Sequence, residues 1–182
     1  MFFLSSIIII ILIIIYLTRK VSVKSVLNSK YYFVRPGKNQ QLKADALAEI
    51  SIKINVLLSK LSSEGNLFEK NIKLAKERFK EINLTENIDP SKTSYTVNKG
   101  EKVVICLGTG DKIYPINLLM YVALHELAHI GCESVGHQEE FINFFEFLVK
   151  TAVKENIYSF EDYSKYPTEY CGMTIKSNVF TQ

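Results

Sequence analysis

YVALHELAHIGCESVGHQEEF, residues 121–141, decides how the chain is read, because it holds all three histidines of the protein, His125, His129 and His137. Within it, His125-Glu126-Leu127-Ala128-His129 is an HExxH pattern. On a helix, side chains four residues apart project from one face. Two imidazoles so placed can grip one zinc ion, and Glu126 is then positioned to take a proton from an attacking water. The flanks favour that helix. Pro115 suits a first helical position, and Ile116, Leu119, Tyr121, Val122, Leu124, Leu127, Ala128 and Ile130 follow without a breaker. Gly131 offers a stop. The predicted helix covers 115–130.

A catalytic zinc site needs a third protein ligand and an open fourth position. His137, beyond a turn bounded by Gly131 and Gly136, is the leading candidate. Glu133 and Glu140 are alternatives, since zinc accepts carboxylate oxygen in a His/His/Glu set. Cys132 would join the ligand face if the helix continued that far, although a thiolate more often marks a closed structural site.

HELAH, then Gly136-His137, then Phe141 resembles the HExxH…GHxxxF pattern of the WLM and SprT-like metallopeptidases. It also resembles small anchored proteins encoded by large DNA viruses. The resemblance covers about 95–180 and is specific mainly over 118–148. It implies a zincin fold, with His125, His129 and His137 as zinc ligands and Glu126 as the catalytic glutamate. The seven residues between His129 and His137 depart from the spacing expected of several WLM members, which bears on subfamily.

Residues 2–17, FFLSSIIIIILIIIYL, are uncharged and almost wholly apolar. A span of about 20 residues is reached by including the flanks. A cleaved signal peptide needs a basic start and a small-residue exit, and neither is present. The expectation is therefore a retained transmembrane anchor over 1–18. Arg19, Lys20, Lys24, Lys30, Arg35, Lys38 and Lys43 follow before the first acid, Asp45. This places the C-terminal body on the cytoplasmic side, or against a virion membrane if the protein is viral. The three cysteines, odd in number and not closely spaced, suit a reducing compartment better than a disulfide framework.

Those seven basic residues also bear on nucleic acid. The rest of the chain has 15 basic against 19 acidic residues, a net charge of −4. The resemblance implies work on DNA-bound proteins, which favours a basic surface. Composition does not supply one, so nucleic acid is not an expected partner.

Residues 19–40 read as a basic tether interrupted by Pro36-Gly37. Leu47, Ile50, Ile54, Leu57 and Leu61 predict an amphipathic helix ending near Gly65, and Phe68, Ile72, Ala75, Phe79 and Ile82 predict a second. Together they make a helical hairpin over 41–83. The Asp89-Pro90 pair breaks the pattern. Residues 94–97 and 102–107 then read as strands joined by a turn, and the resemblance implies that the second lies beside the cleft, where an exposed edge could hold an extended peptide. Phe141, Phe144, Phe145, Leu148 and Ala152 mark a last helix whose phenylalanines are read as core, with Glu139 or Glu140 available to orient an imidazole. In the tail, Tyr166 or Tyr170 is a candidate oxyanion donor, and Met173 a candidate support beneath the site.

The fold class expected is α+β: a small zincin-like metallopeptidase domain over 41–182 behind the anchor, with the small sheet and HExxH core in 84–182. The expected function is a membrane-anchored zinc endopeptidase acting on a protein or peptide near that membrane. The alternative is a non-catalytic, membrane-anchored structural or assembly protein that retains the fold.

Overall fold

A computed structural model describes residues 19–89, 91–110 and 112–177. The apolar run expected to form an anchor, with Pro90 and Asp111, lies outside them. Among the described residues no helix is long and apolar enough to cross a membrane.

The segment read as a tether is part of the body. Val21–Lys24 (β1) and Tyr31–Val34 (β2) form an antiparallel hairpin. Alternation explains it: Tyr32 and Val34 point into the core while Tyr31 and Phe33 stay exposed. The turn is fastened by Asp45, which accepts hydrogen bonds from the Ser25 hydroxyl at 2.6 Å and the Val26 amide at 2.9 Å. So the folded domain begins near residue 21 rather than 41.

Two helices follow, Gln40–Lys60 (α1) and Glu69–Arg78 (α2). Both stop short of the predicted ends, and Ile82, expected on the second helix, is exposed in a short 3-10 turn at Glu81–Asn83. Leu84–Glu86 (β3), Tyr95–Val97 (β4) and Lys102–Ile105 (β5) complete a five-stranded sheet of order β1-β2-β3-β5-β4. β2 pairs parallel with β3, and β3 parallel with β5, while β4 returns antiparallel to β5. The edge next to the cleft therefore belongs to β4. β5, read from sequence as the cleft strand, is interior, with Val103, Val104 and Ile105 buried.

A two-residue ladder, Gly108–Thr109 (β6) with Lys112–Ile113 (β7), leads into Ile116–Gly131 (α3). This central helix packs on α1, α2, β4, β5 and the last long helix, Glu139–Lys154 (α4). Leu119, Leu124, Ala128 and Ile130 are fully buried along it. Gly131 is not the stop. The helix includes it, and a Cβ there would lie 2.4 Å from Cε1 of buried Phe144 and 3.0 Å from the Asn71 carbonyl oxygen. Glycine is required by the close approach of α3 to α2 and α4.

The tail forms a small hairpin, Thr168–Tyr170 (β8) with Met173–Ile175 (β9). It is tied to the end of β5 by a Cys106–Cys171 disulfide, with Cα atoms 6.5 Å apart. This overturns the expectation of unpaired thiols and removes the cysteine argument for a reducing compartment. The pairing spans 65 residues of sequence and exists because the tail folds back across the sheet. Cys132 is the remaining thiol, buried just after α3.

Candidate metal centre

α3 sets His125 and His129 one turn apart on the face turned to α4, and the loop between these helices brings in His137. Nε2 of His125 lies 3.2 Å from Nε2 of His129 and 3.1 Å from Nε2 of His137. One imidazole nitrogen has one proton or one lone pair to offer, so hydrogen bonding cannot account for both contacts. Three nitrogens bound tetrahedrally at 2.0–2.1 Å from one zinc would be separated by roughly 3.3 Å. The observed spacing fits a single ion. These three residues form the group able to hold a metal among the described residues, with ligand atoms within 4.8 Å of one another.

His125 and His129 are kept neutral, as metal donors must be. Burial lowers His125 to about 3, reinforced by His129 and His137. Burial lowers His129 to about 4, with His137 and Lys99 adding to it.

His137 is exposed, and its position is fixed by the loop that carries it. Gly136 takes φ +78°, the left-handed region, to turn the chain into it. Glu140 accepts hydrogen bonds from the Glu133 amide at 3.2 Å, the Ser134 amide at 3.0 Å and the Asn71 side chain at 2.8 Å. Lys99 donates to the Ser134 carbonyl, and Lys70 pairs with Glu133. Glu133 and Glu140, the sequence alternatives for third ligand, are thus spent on holding the loop. Cys132 is outside the cluster because α3 ends before it.

Phe141 is the residue whose role sequence reasoning missed. Its ring stacks on His129 with centroids 4.3 Å apart and lies 4.9 Å from His125 and 4.7 Å from His137. It stands one helical turn past His137, so a single apolar ring supports all three imidazoles. Phe145 meets His125 edge-on at 5.3 Å. Both rings border the cleft rather than being core alone. The signal available was the spacing of Phe141 from His137.

Glu126 faces the cleft and is 4% exposed. Its Oε2 accepts a 2.8 Å hydrogen bond from the Thr96 hydroxyl on β4. Burial pushes its carboxyl up to about 7, while Thr96 pulls the other way. A carboxylate with a value near neutrality can both take and return a proton.

The cleft has a volume of about 660 Å³ and runs between β4, α3, α4 and the tail. Tyr170 lines it, but its hydroxyl donates to the Cys106 carbonyl at 2.8 Å and meets the Ser94 hydroxyl at 2.6 Å. Its one proton is committed, so it is a wall, not a free oxyanion donor. Tyr166 is exposed and away from the cleft, and Met173 stands exposed on its rim rather than beneath the site.

No established family profile matches the sequence. The chain is 39% identical over 164 residues to uncharacterized protein R325 of Acanthamoeba polyphaga mimivirus, covering 86% of this chain and 83% of that protein. It is 31% identical over 103 residues to uncharacterized protein 042R of Invertebrate iridescent virus 3, covering 53% of this chain and 62% of that protein. The fold resembles that of a Wss1 mutant from Saccharomyces cerevisiae, with a TM-score of 0.51 at 21% identity over 68% of this chain and 88% of that one. The chain belongs to the family of the mimivirus protein R325.

Proposed function

We propose that this member of the R325 family is a membrane-anchored zinc endopeptidase. The observation that carries the reading is the convergence of three imidazoles beside a buried glutamate, on the floor of an open cleft. His125, His129 and His137 would hold the ion. When bound there, zinc supplies Lewis acidity toward a carbonyl and lowers the pKa of water.

The chain's own residues account for the rest. Glu126, steered by Thr96, takes the proton of the attacking water and returns it to the leaving amine. Phe141 fixes the imidazole planes. β4, the sheet edge beside the cleft, offers main-chain groups to an extended peptide. The WLM-like fold supports the same reading. A structural zinc site uses four protein ligands, whereas among the described residues this cluster has three and opens on solvent, which favours catalysis over a purely structural role. The uncharged run 2–17 supports the anchor and confines the substrate to proteins near that membrane.

The test is hydrolysis of an unfolded protein by the full chain in detergent micelles. Chelation should abolish cleavage and added zinc should restore it. Cleavage that survives complete removal of metal would refute the proposal.

A further inference from the structure

The five-stranded sheet has two faces, and the helices cover one. On β2, Tyr32 and Val34 enter the core, so Tyr31 and Phe33 project from the opposite face. Register places Lys24 opposite Tyr31, and Ser22 opposite Phe33, on that same outer face. Tyr31 is 63% and Phe33 51% exposed, and Ile82, at 84%, shares a hollow with Phe33. Lys20, Phe33, Ile82, Val97 and Lys102 line a shallow hollow of about 430 Å³ here.

The charge of this face is mainly positive, with Glu101 the acid that also lines the hollow. Lys24 and Lys102 are exposed, and Lys20 donates to the Thr85 hydroxyl at 2.8 Å at the base of the hollow. Of the nearby acids, Glu81 is neutralised by a cation and Glu101 is held by a neutral amide, leaving three lysines against one carboxylate. Glu81 pairs with Lys30 and accepts from Asn28 and Tyr32, and Glu101 accepts from Asn98 at 2.7 Å. Lys20 is depressed to about 8, first by burial and then by the neighbouring Lys102 cation, with Glu86 pulling the other way.

Position selects the occupant. Only Thr18 and Arg19 separate Leu17, the end of the apolar run, from Lys20. A chain held in a bilayer by residues 2–17 therefore carries this face within a few residues of the headgroups. Tyrosine and other amphipathic rings favour the interface, and each lysine near an anionic surface strengthens attachment about five-fold.

We propose that the outer face of the sheet, with Tyr31, Phe33 and Ile82 framed by Lys20, Lys24 and Lys102, docks on an anionic lipid bilayer and holds the body against the membrane. This rests on the anchor in the proposed function and is independent of its catalysis. Docking would fix the height and orientation of the cleft above the surface, and so which segments of a membrane protein can enter it.

The experiment places an environment-sensitive fluorophore at Ile82→Cys in the full chain, where the other cysteines are either disulfide-bonded or buried. The chain is reconstituted in vesicles of phosphatidylcholine, with or without phosphatidylserine, and the fraction floating with the vesicles is measured together with quenching by lipid-borne nitroxides. The expected result is flotation in both lipids, with quenching strong only where phosphatidylserine is present. Lys24→Glu with Lys102→Glu should lower the docked-to-undocked ratio by at least roughly 30-fold without changing flotation. Flotation with no quenching in anionic vesicles, or equal quenching in neutral ones, would overturn the docking face and leave the anchor standing. Flotation and quenching in anionic vesicles alone would uphold the face and refute the anchor, and no flotation in either lipid would refute both. Loss of quenching on adding a single-stranded oligonucleotide in stoichiometric amount would reassign the face to nucleic acid.

Discussion

The hydroxyl of Thr96 donates a 2.8 Å hydrogen bond to Oε2 of Glu126, joining the edge strand of the sheet to the helix that carries two of the three clustered histidines. The bond leaves Oε1 of Glu126 for a water or a leaving amine. It also aims the carboxylate from the strand along which an extended substrate would lie.

Thr96→Val keeps the shape of the side chain and removes the donor. A hydrogen bond to a charged, buried group contributes about 1.5–3 kcal/mol, so kcat should fall roughly 10- to 100-fold. Zinc content should stay at the wild-type level, and Thr96→Ser should recover most of the rate. Steady-state kinetics with metal analysis on the same preparations check this, and an unchanged kcat in Thr96→Val would remove Thr96 from the mechanism.

How much of this was legible in the sequence depends on distance along the chain. The helix of HELAH, and the convergence of His125, His129 and His137, follow from spacings within one short stretch, and local periodicity reports such spacings well. The β1–β2 hairpin was hidden for the opposite reason. Its strands are four residues each, and β2 is secured by parallel pairing of Phe33 with Thr85, far along the chain. Seven basic residues in the neighbourhood dominate the composition there and mask the alternation of Tyr31, Tyr32, Phe33 and Val34. The Cys106–Cys171 bridge was illegible likewise, because only the folded tail brings the two cysteines together. Glu140 showed its acidity in sequence but not its work, which is to bind loop amides. A body cut at residue 41, the expected domain start, would lack Tyr32 and Val34 from its core.

Lys43 Nζ and Glu86 Oε1 form a 2.8 Å ion pair with both side chains buried, linking the first turn of α1 to β3. Glu86 also accepts the Arg35 amide at 2.5 Å. Lys43→Met leaves a carboxylate buried without its cation and should cost about 3–5 kcal/mol. The double variant Lys43→Met with Glu86→Leu should recover much of that loss. Denaturant unfolding of the full chain in micelles measures both. Equal stability of the single variant and wild type would show that the pair contributes nothing.

Glu140 gives the fold an acid limit. Partial burial pushes its carboxyl up, but the polar groups of Ser134, the Asn71 amide and the Glu133 amide outweigh this and hold it at about 2, below its ordinary 4.5. A group depressed in the folded state stabilises above its unfolded value and loses that contribution as pH falls toward its folded value. Wild-type stability should therefore drop between about pH 4.5 and pH 2. Glu140→Gln should be less stable at neutral pH and should lack this component of the slope. Parallel slopes for the two proteins would contradict the assignment.

The Cys106–Cys171 disulfide holds β8 and β9 as a wall of the cleft. Cys171→Ser should lower stability by about 2–5 kcal/mol. It should also raise KM more than it lowers kcat if the wall bounds the substrate, since it carries none of the proposed reacting groups. An unchanged KM would mean that the tail does not bound the substrate.

The most direct test of the zinc peptidase account sets zinc content and protein hydrolysis of the full chain beside those of Glu126→Gln. The account predicts one zinc per chain in both proteins and a loss of cleavage of roughly 100- to 10,000-fold in the variant, the usual contribution of a general base. Full hydrolysis by Glu126→Gln, or no zinc in the wild-type chain, would contradict it.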